Sequence, residues 1–326
     1  MTLETVEETL AGKKVLVTGA TGFIGSHLVE RLVKLKANVT AIGPTLGFRP
    51  IVKRFVGQER AHFVKLNAFW SPAALGRVKS DFQGTEYVVH LAYVMPRGQS
   101  ILEKTIDDLR RNVHGTVQFI KSLPESVSKI CFASSSMVYG PNPPNPVSES
   151  TCVNPISVYS CGKLATENYL QLYGKDRSIS ISILRYATVY GPWETDPRAI
   201  PNFIRCVLAG KPPVIYGGGD DIRDYVHVSD VVEATLLTLA NDTNDHQVFN
   251  IGSGKGYSTC QIAERIIELT GKCLEPIHKQ SNHVINRIVY DVTHANRVLG
   301  YQPLVDLNKG LMDEIQFFSN HPIFWK

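Results

Sequence analysis

Residues 13–35, KKVLVTGATGFIGSHLVERLVKL, constrain the fold more than any other stretch of the 326-residue chain. A β-branched run from Val15 to Thr18 leads into Gly19, Gly22 and Gly25, and Ile24, Leu28, Leu32 and Leu35 then recur at helical spacing. The pattern is strand, tight turn, helix. Three glycines alone say little, because glycine is common in turns. Between a strand and a helix they specify a backbone that can approach a pyrophosphate closely, at a helix amino terminus whose N–H groups are free to meet an anion. Gly19, Gly22 and Gly25, with the intervening Phe23 and Ile24, are therefore candidate cofactor-binding residues.

The segments NVTAIG, HFVKLNA, YVVHLAY, VSKICFASSS (127–136) and SISISILRYATVYG are further apolar runs of strand length. The stretches between them have room for helices. Continuous apolar strands alternating with helices imply an α/β fold, a Rossmann-type doubly wound parallel sheet covered on both faces. Ligands of such sheets sit at the carboxyl ends of the strands. Beyond about residue 187 the pattern loosens into GPWETDPRAIPNF and GKPPVIYGGGDDIRDY, and helical runs return at 229–240 and 258–271. The expected organisation is an acidic, polar and disordered lead-in over 1–12, then a dinucleotide-binding domain over 13–186 with a return near 229–257. Residues 187–326 are expected to form mainly a smaller, partly discontinuous substrate domain.

Composition narrows the partners. A hydrophobic content of 43% with 20% charged residues is ordinary for a soluble globular protein. No apolar run reaches ~18 residues, so no membrane span is expected, and MTLETVEETLAG does not have the form of a signal peptide. Six scattered cysteines without a C-x-x-C pair argue against a metal site or a disulfide framework and fit a cytoplasmic location. The net charge of +4 suits an anionic small molecule and is too mild for a nucleic-acid surface.

An acidic residue after the second strand of such a fold grips the adenosine ribose and favours NAD. Here that strand ends TAIGPT, which puts Gly43 at the position. Arg49, Lys53 and Arg54 follow, available to a 2′-phosphate or simply solvated. NAD is the expected cofactor, with NADP kept open.

Tyr159 and Lys163, in SVYSCGK, are neighbours on any helix, so their spacing proves nothing by itself. Taken with TGATGFIGSHL, VVHLAY, RNVHGT, FASSSMVYG, LRYATVYGPW, IRDYVHVSDVVEA and YDVTHANRVLGYQP, it gives a chain that resembles the extended short-chain dehydrogenase/reductase family. The match is to the nucleotide-sugar epimerase/dehydratase branch and runs from about residue 13 to 305. The resemblance implies that Tyr159 is the base that exchanges a hydroxyl proton with the sugar. A phenol of pKa ~10 is a poor base at neutrality, so Lys163 and an oxidised nicotinamide are expected to favour its ionised form. Lys163 is also expected to bond the nicotinamide ribose, and Ser135 to hold the reacting oxygen. Asn67, Leu91, Ala92 and Tyr186 join the implied cofactor set. Ser135, Ser136, Thr188, Arg223 and Arg287 form the implied substrate set. Arg223 suits a diphosphate because its planar fork donates two parallel hydrogen bonds; the alternative is a loop ion pair with Asp220, Asp221 or Asp224. Ser134 is expected to bond backbone, and Ser229 and Asp230 to cap a helix.

Position 137 separates the reactions. Relatives that dehydrate or decarboxylate their sugars carry a glutamate there, and those that epimerise beside the ketone carry a cysteine. Met137 has no proton to give and is expected as core filler. What remains is a nucleotide-sugar 4-epimerase for a UDP-hexose or UDP-hexuronate, working through a transient 4-keto sugar. The alternative is an NAD(P)-dependent ketoreductase, or a hydroxysteroid-type dehydrogenase, on the same scaffold. Gly43 favours the alternative and Arg223 the epimerase. A non-catalytic relative is expected to lose Tyr159 or Lys163, and both are present. UDP-glucuronate 4-epimerases carry an arginine two residues after the tryptophan; this chain has Thr195 there, with Arg198 nearby. A homodimer through helices near 101–121 and 156–173 is expected.

Overall fold

In the computed structural model, which describes residues 3–45, 60–241, 247–281 and 285–325, seven strands form one parallel sheet. They are β1 (Lys14–Thr18), β2 (Asn38–Gly43), β3 (Ala61–Lys65), β4 (Tyr87–His90), β5 (Lys129–Ser135), β6 (Ser180–Tyr186) and, from later in the chain, β10 (Gln247–Ile251). Their order is β10-β6-β5-β4-β1-β2-β3, a doubly wound sheet that reverses direction between β1 and β4. Val15, Leu16 and Val17 are all essentially inaccessible to solvent, because both faces of the sheet are covered. Val15 and Val17 face one core with α2 (Phe23–Lys34) and Leu16 faces the other, the alternation a strand requires. The second core takes in α3 (Pro72–Val78), α5 (Gly115–Lys121) and α6 (Val158–Arg177). Between α3 and α6, α4 (Ile101–Asp108) runs through a π-helical turn, Leu109–His114, into α5.

The amino-terminal stretch is not the disordered lead-in expected from its polarity. It forms α1 (Leu3–Leu10), with Val6 and Leu10 completely buried in the same core as Leu28 and Leu32. Two apolar residues one turn apart suffice to dock a helix whose other faces are charged, and Lys36 pairs with Glu7 at 2.7 Å.

The Pro/Gly-rich region holds a small second layer. β7 (Thr188–Tyr190), β9 (Ile222–His227), β11 (Gly256–Ser258) and β13 (Arg287–Ile288) form one sheet, and β8 (Val214–Tyr216) pairs with β12 (Ile277–Lys279). A third core, built on Phe203, Ile204, Ile262, Ile266, Leu311 and Phe318, packs these strands with α7 (Ala199–Leu208), α9 (Thr259–Thr270) and α11 (Leu307–Asn320). Between the two layers α8 (Val228–Ala240) is capped by His227, whose Nδ1 accepts from Ser229 N. The expectation that Ser229 and Asp230 cap it is thereby corrected. Asp230 instead accepts from Leu304 N and Val305 N at 3.1 Å each, fastening the segment between α10 (Thr293–Leu299) and α11. The six cysteines are free, and among the described residues no helix is long and apolar enough to cross a membrane.

Candidate active site

At the carboxyl ends of β1, β2 and β4 a cleft of about 530 Å³ opens at the point where the sheet reverses, where ligands of doubly wound folds sit. Gly19, Gly22, Gly43, Asn67, Leu91 and Ala92 line it. Gly19 has φ +68°, and a Cβ on Gly25 would lie 2.2 Å from the Gly19 carbonyl oxygen, so neither position tolerates a side chain. α2 begins at Gly22 without a side-chain cap, which leaves its first N–H groups for an anion. Phe23 and Ile24 are its first two residues and pack against the core. The uncapped helix and the bare glycine cradle fit the pyrophosphate of a dinucleotide.

Gly43 has a steric reason. A Cβ there would lie 2.5 Å from Thr21 Oγ1, so the threonine of the glycine turn fills the space that an acidic side chain needs. Arg49, Lys53 and Arg54 lie outside the described residues. Tyr186 is placed away from the cleft: it is buried in the core and its hydroxyl bonds Thr235 at 2.9 Å.

Ser135, Tyr159 and Lys163 are brought together by β5 and α6. Ser157 caps α6 and exchanges hydrogen bonds with Ser160, which fixes the first turn and with it Tyr159. The Tyr159 hydroxyl sits beside the Ser135 hydroxyl, at the end of β5. One turn further along α6, Lys163 is buried and donates to Ala133 O at 2.7 Å. The electrostatics differ from expectation. Burial pushes the Tyr159 phenol up, opposed by the neighbouring Ser135 hydroxyl and by the charge of Arg198. Lys163 is itself pushed down to about 7 by burial, with Glu167 and Asp108 opposing. The protein's own residues therefore hold Tyr159 neutral, and Lys163 does not ionise it unaided.

Sequence reasoning missed the group that positions this pair. The Tyr93 ring meets that of Tyr159 edge-on, with centroids 4.9 Å apart, and lies 4.2 Å beneath Lys163 Nζ. Its hydroxyl donates to buried Asp108 and also reaches Tyr159 O. Asn112, in the π-helical turn, takes both backbone groups of Val94 and also donates to Asp108. π-Turns inside helices often mark functional sites. An asparagine amid the buried positions of RNVHGT was the available signal.

Ser134 bonds the Glu167 carboxylate and not backbone as expected. Ser136 sits beside the Tyr290 hydroxyl. Met137 is not core filler: it stands on the short helical turn after Ser135, 46% exposed.

A second cleft, of about 290 Å³, is lined by Thr188, Glu194, Arg198, Asp221, Arg223 and Tyr225, among others. Thr188 and Tyr225 are partners in the β7–β9 register, and Arg223 lies two residues before Tyr225 on the same face of β9. Asp224 accepts from the N–H groups of Ser253, Gly254 and Tyr290, and Asp221 from that of Asn286. With those carboxylates so engaged, no ion pair holds Arg223 among the described residues, and it stands exposed on the cleft wall. Arg287 is set apart. The register pairs it with Ile222 and pairs Ile288 with Arg223, so Arg287 leaves the opposite face of the small sheet.

Residues 15–252 match the model of the NAD dependent epimerase/dehydratase family. The chain is 34% identical to a UDP-glucose 4-epimerase of Mycolicibacterium smegmatis, over 94% of this chain and 99% of that protein. Among solved structures it resembles the UDP-glucose 4-epimerase of Thermotoga maritima with UDP-glucose, with a TM-score of 0.84 and 31% identity over 94% of this chain and 99% of that one. A UDP-glucuronic acid 4-epimerase of Bacillus cereus, in complex with UDP-glucuronic acid and NAD, superposes with a TM-score of 0.81 at 29% identity over the same shares. The glycine cradle at the sheet's reversal, the Tyr159 phenol beside Ser135 and these matches over nearly the whole chain agree: the chain belongs to the NAD-dependent epimerase/dehydratase family.

Proposed function

We propose that the protein is an NAD-dependent UDP-sugar 4-epimerase. One observation carries the reading: Arg198 lines the same cleft as Arg223, and its charge is felt by the Tyr159 phenol. This supports a reading in which Arg223 binds the diphosphate and Tyr159 transfers the proton, with Arg198 in reach of both, as a nucleotide sugar requires. Gly19, Gly22 and Gly25 hold the cofactor's pyrophosphate, Asn67 its adenine end, and Leu91, Ala92 and Lys163 its nicotinamide end. When bound, the nicotinamide would supply the acceptor and donor of the C4 hydride, and its oxidised form would add positive charge near Tyr159 to that of Arg198. Tyr159 takes the C4 hydroxyl proton and later gives it back; Ser135 holds the C4 oxygen. Thr188 and Ser136 contact the sugar, and Arg223 the diphosphate. Met137 offers no proton to the carbons beside the ketone, so the keto sugar is reduced again and not dehydrated.

NAD is proposed in preference to NADP on the strength of the NAD-bound relatives, and a cytoplasmic location from the free cysteines. Residues 13–186 with the return at 229–257 form the cofactor unit, and the rest beyond 187 the substrate unit. The test is incubation of the purified, NAD-loaded protein with UDP-glucose and with UDP-glucuronate. The expected outcome is the C4 epimer of at least one, without net change in absorbance at the nicotinamide band. Stoichiometric reduction of cofactor would establish the dehydrogenase reading instead.

The protein is further proposed to form a homodimer. α4 and α6 pack side by side, and together expose Ile101, Leu102, Ile106, Tyr169 and Leu172, the first at 78% and the last at 65%. Large exposed apolar side chains on adjoining helices favour an interface, and a two-fold axis would cover them with a second copy. Light scattering on the wild type is expected to give twice the chain mass of 36.2 kDa, and Ile106→Glu with Leu172→Glu to halve it. A monomeric wild type refutes the proposal.

A further inference from the structure

The sugar end of the cleft holds a carboxyl that the reaction above does not use. Glu194 lines this cleft, yet only 2% of it is exposed, and its Oε1 has no hydrogen-bond partner among the described residues. Arg198 Nη1 lies 3.4 Å from that oxygen, while 57% of the arginine side chain remains open to solvent. The loop bearing both residues is held from behind. Arg205 of α7 donates to Thr195 O at 2.6 Å and to Phe324 O at 2.8 Å, and Trp193 packs 4.6 Å from Phe317. Glu314 of α11 accepts from Gly191 N at 2.9 Å. The charged groups facing Glu194 are therefore Arg198 and Asp196 on its own loop, Arg205 on α7 and Glu314 on α11.

We propose that Glu194 sets the charge of the sugar subsite by holding or releasing Arg198, so that the cleft prefers a hexuronate over a neutral hexose whenever Glu194 is protonated. The inference rests on the epimerase reading and names its substrate class. Arg198 shares the cleft wall with Arg223 and its charge reaches the Tyr159 phenol, so a sugar ring spanning from a diphosphate on Arg223 to Tyr159 would come within its reach. A guanidinium there pairs with a carboxylate on C5 through two parallel hydrogen bonds. The same guanidinium is unavailable while it neutralises an ionised Glu194, because releasing it leaves a buried charge without a partner. Burial pushes the Glu194 carboxyl up to about 8, against the opposing charge of Arg198. Glu314 is fully buried and its carboxyl is pushed well up by that burial, so it supplies no competing negative charge. Near neutrality Glu194 is thus mostly uncharged and Arg198 is free. Above pH 8 the carboxylate forms and recaptures it. Arg198 in this way takes over the task for which Thr195 has no charge.

The test measures binding by calorimetry to the NAD-loaded protein, with UDP-glucuronate and UDP-glucose at pH 7 and pH 9. The affinity for glucuronate follows the fraction of protein with Glu194 neutral, so its advantage over glucose is expected to fall about 10-fold between the two pH values. Glu194→Gln is expected to keep the pH 7 ratio at both, and Arg198→Met to erase the advantage at both. A wild-type ratio that does not move with pH overturns the proposal, whether or not the variants fold. So does a Glu194→Gln protein that keeps the pH response. The readout needs no turnover. A protein that epimerises neither sugar sinks the epimerase reading and leaves this ratio to be judged by itself; epimerisation with a flat ratio sinks the Glu194 proposal alone.

Discussion

Tyr159→Phe is expected to lower kcat by about 10²–10⁴-fold, the span that a positioned acid–base group contributes. Only one oxygen is lost. The ring keeps its edge-on contact with Tyr93, and losing the polar contact with Ser135 costs at most about 1 kcal/mol of stability. The variant is therefore expected to fold and to retain NAD, because Gly19, Gly22 and Gly25 are untouched. Its bound cofactor is measured after denaturation and compared with that of the wild type. The size of the effect follows from what surrounds the phenol. Burial holds it neutral in the protein alone, so no nearby side chain offers a ready second base: Ser135 is a weaker acid than a phenol, and Met137 carries no exchangeable proton. Lys163 is buried against Ala133 O and the Tyr93 ring, oriented away from a substitute role. Retention of kcat within tenfold would remove Tyr159 from the reaction and with it the epimerase mechanism.

The sheet was legible in the sequence because parallel strands buried on both faces leave continuous apolar runs. NVTAIG coincides with β2 from end to end, and the run after residue 258 coincides with α9. The glycine turn was legible for a related reason: close approach admits only one residue type, as the Gly25–Gly19 contact shows. The small sheet was not. β7, β8, β11, β12 and β13 have two or three residues each, too few for a period to appear, and their pairing is set by distant segments. α1 was hidden because two apolar residues among acidic ones leave a weak stripe. Gly43 could be seen to lack a carboxylate, but its cause, the Thr21 side chain, lies 22 positions away in sequence. That Tyr159 and Lys163 share one helix was legible from their spacing. The candidate site was illegible where long-range packing decides. Tyr186 turns inward to Thr235, Arg287 exits the far face of β13, and Tyr93 and Asp108 meet only because the chain folds back 15 residues later.

Arg185→Met is expected to cost about 3–5 kcal/mol of stability, the penalty for leaving one member of a buried ion pair without its partner. Arg185 and Glu167 are 6% and 2% exposed. The guanidinium meets Glu167 through Nε at 3.2 Å and Nη2 at 2.7 Å, and its Nη1 donates to the Tyr139 hydroxyl at 3.0 Å. Tyr139 passes a hydrogen bond on to Asn250 Oδ1 at 2.7 Å, and Ser134 donates to Glu167. The network thus ties β5, β6 and β10 to α6, the helix that carries Tyr159 and Lys163. Its large cost on single substitution does not mean that the pair itself stabilises the fold by that much. Desolvating two charges consumes most of what their attraction returns. The decisive comparison is therefore Arg185→Met alone against Arg185→Met with Glu167→Leu, measured as urea midpoints at fixed protein concentration. The double variant is expected to recover more than half of the loss, since it removes the stranded carboxylate. Some deficit remains, because Tyr139 keeps only its bond to Asn250 and Ser134 is left without its partner, and a buried unpaired hydroxyl costs about 1–3 kcal/mol. Simple additivity of the two substitutions would show that Glu167 finds another counter-charge once Arg185 is gone. The network would then be a set of independent contacts, with no role as the brace that holds α6 in place.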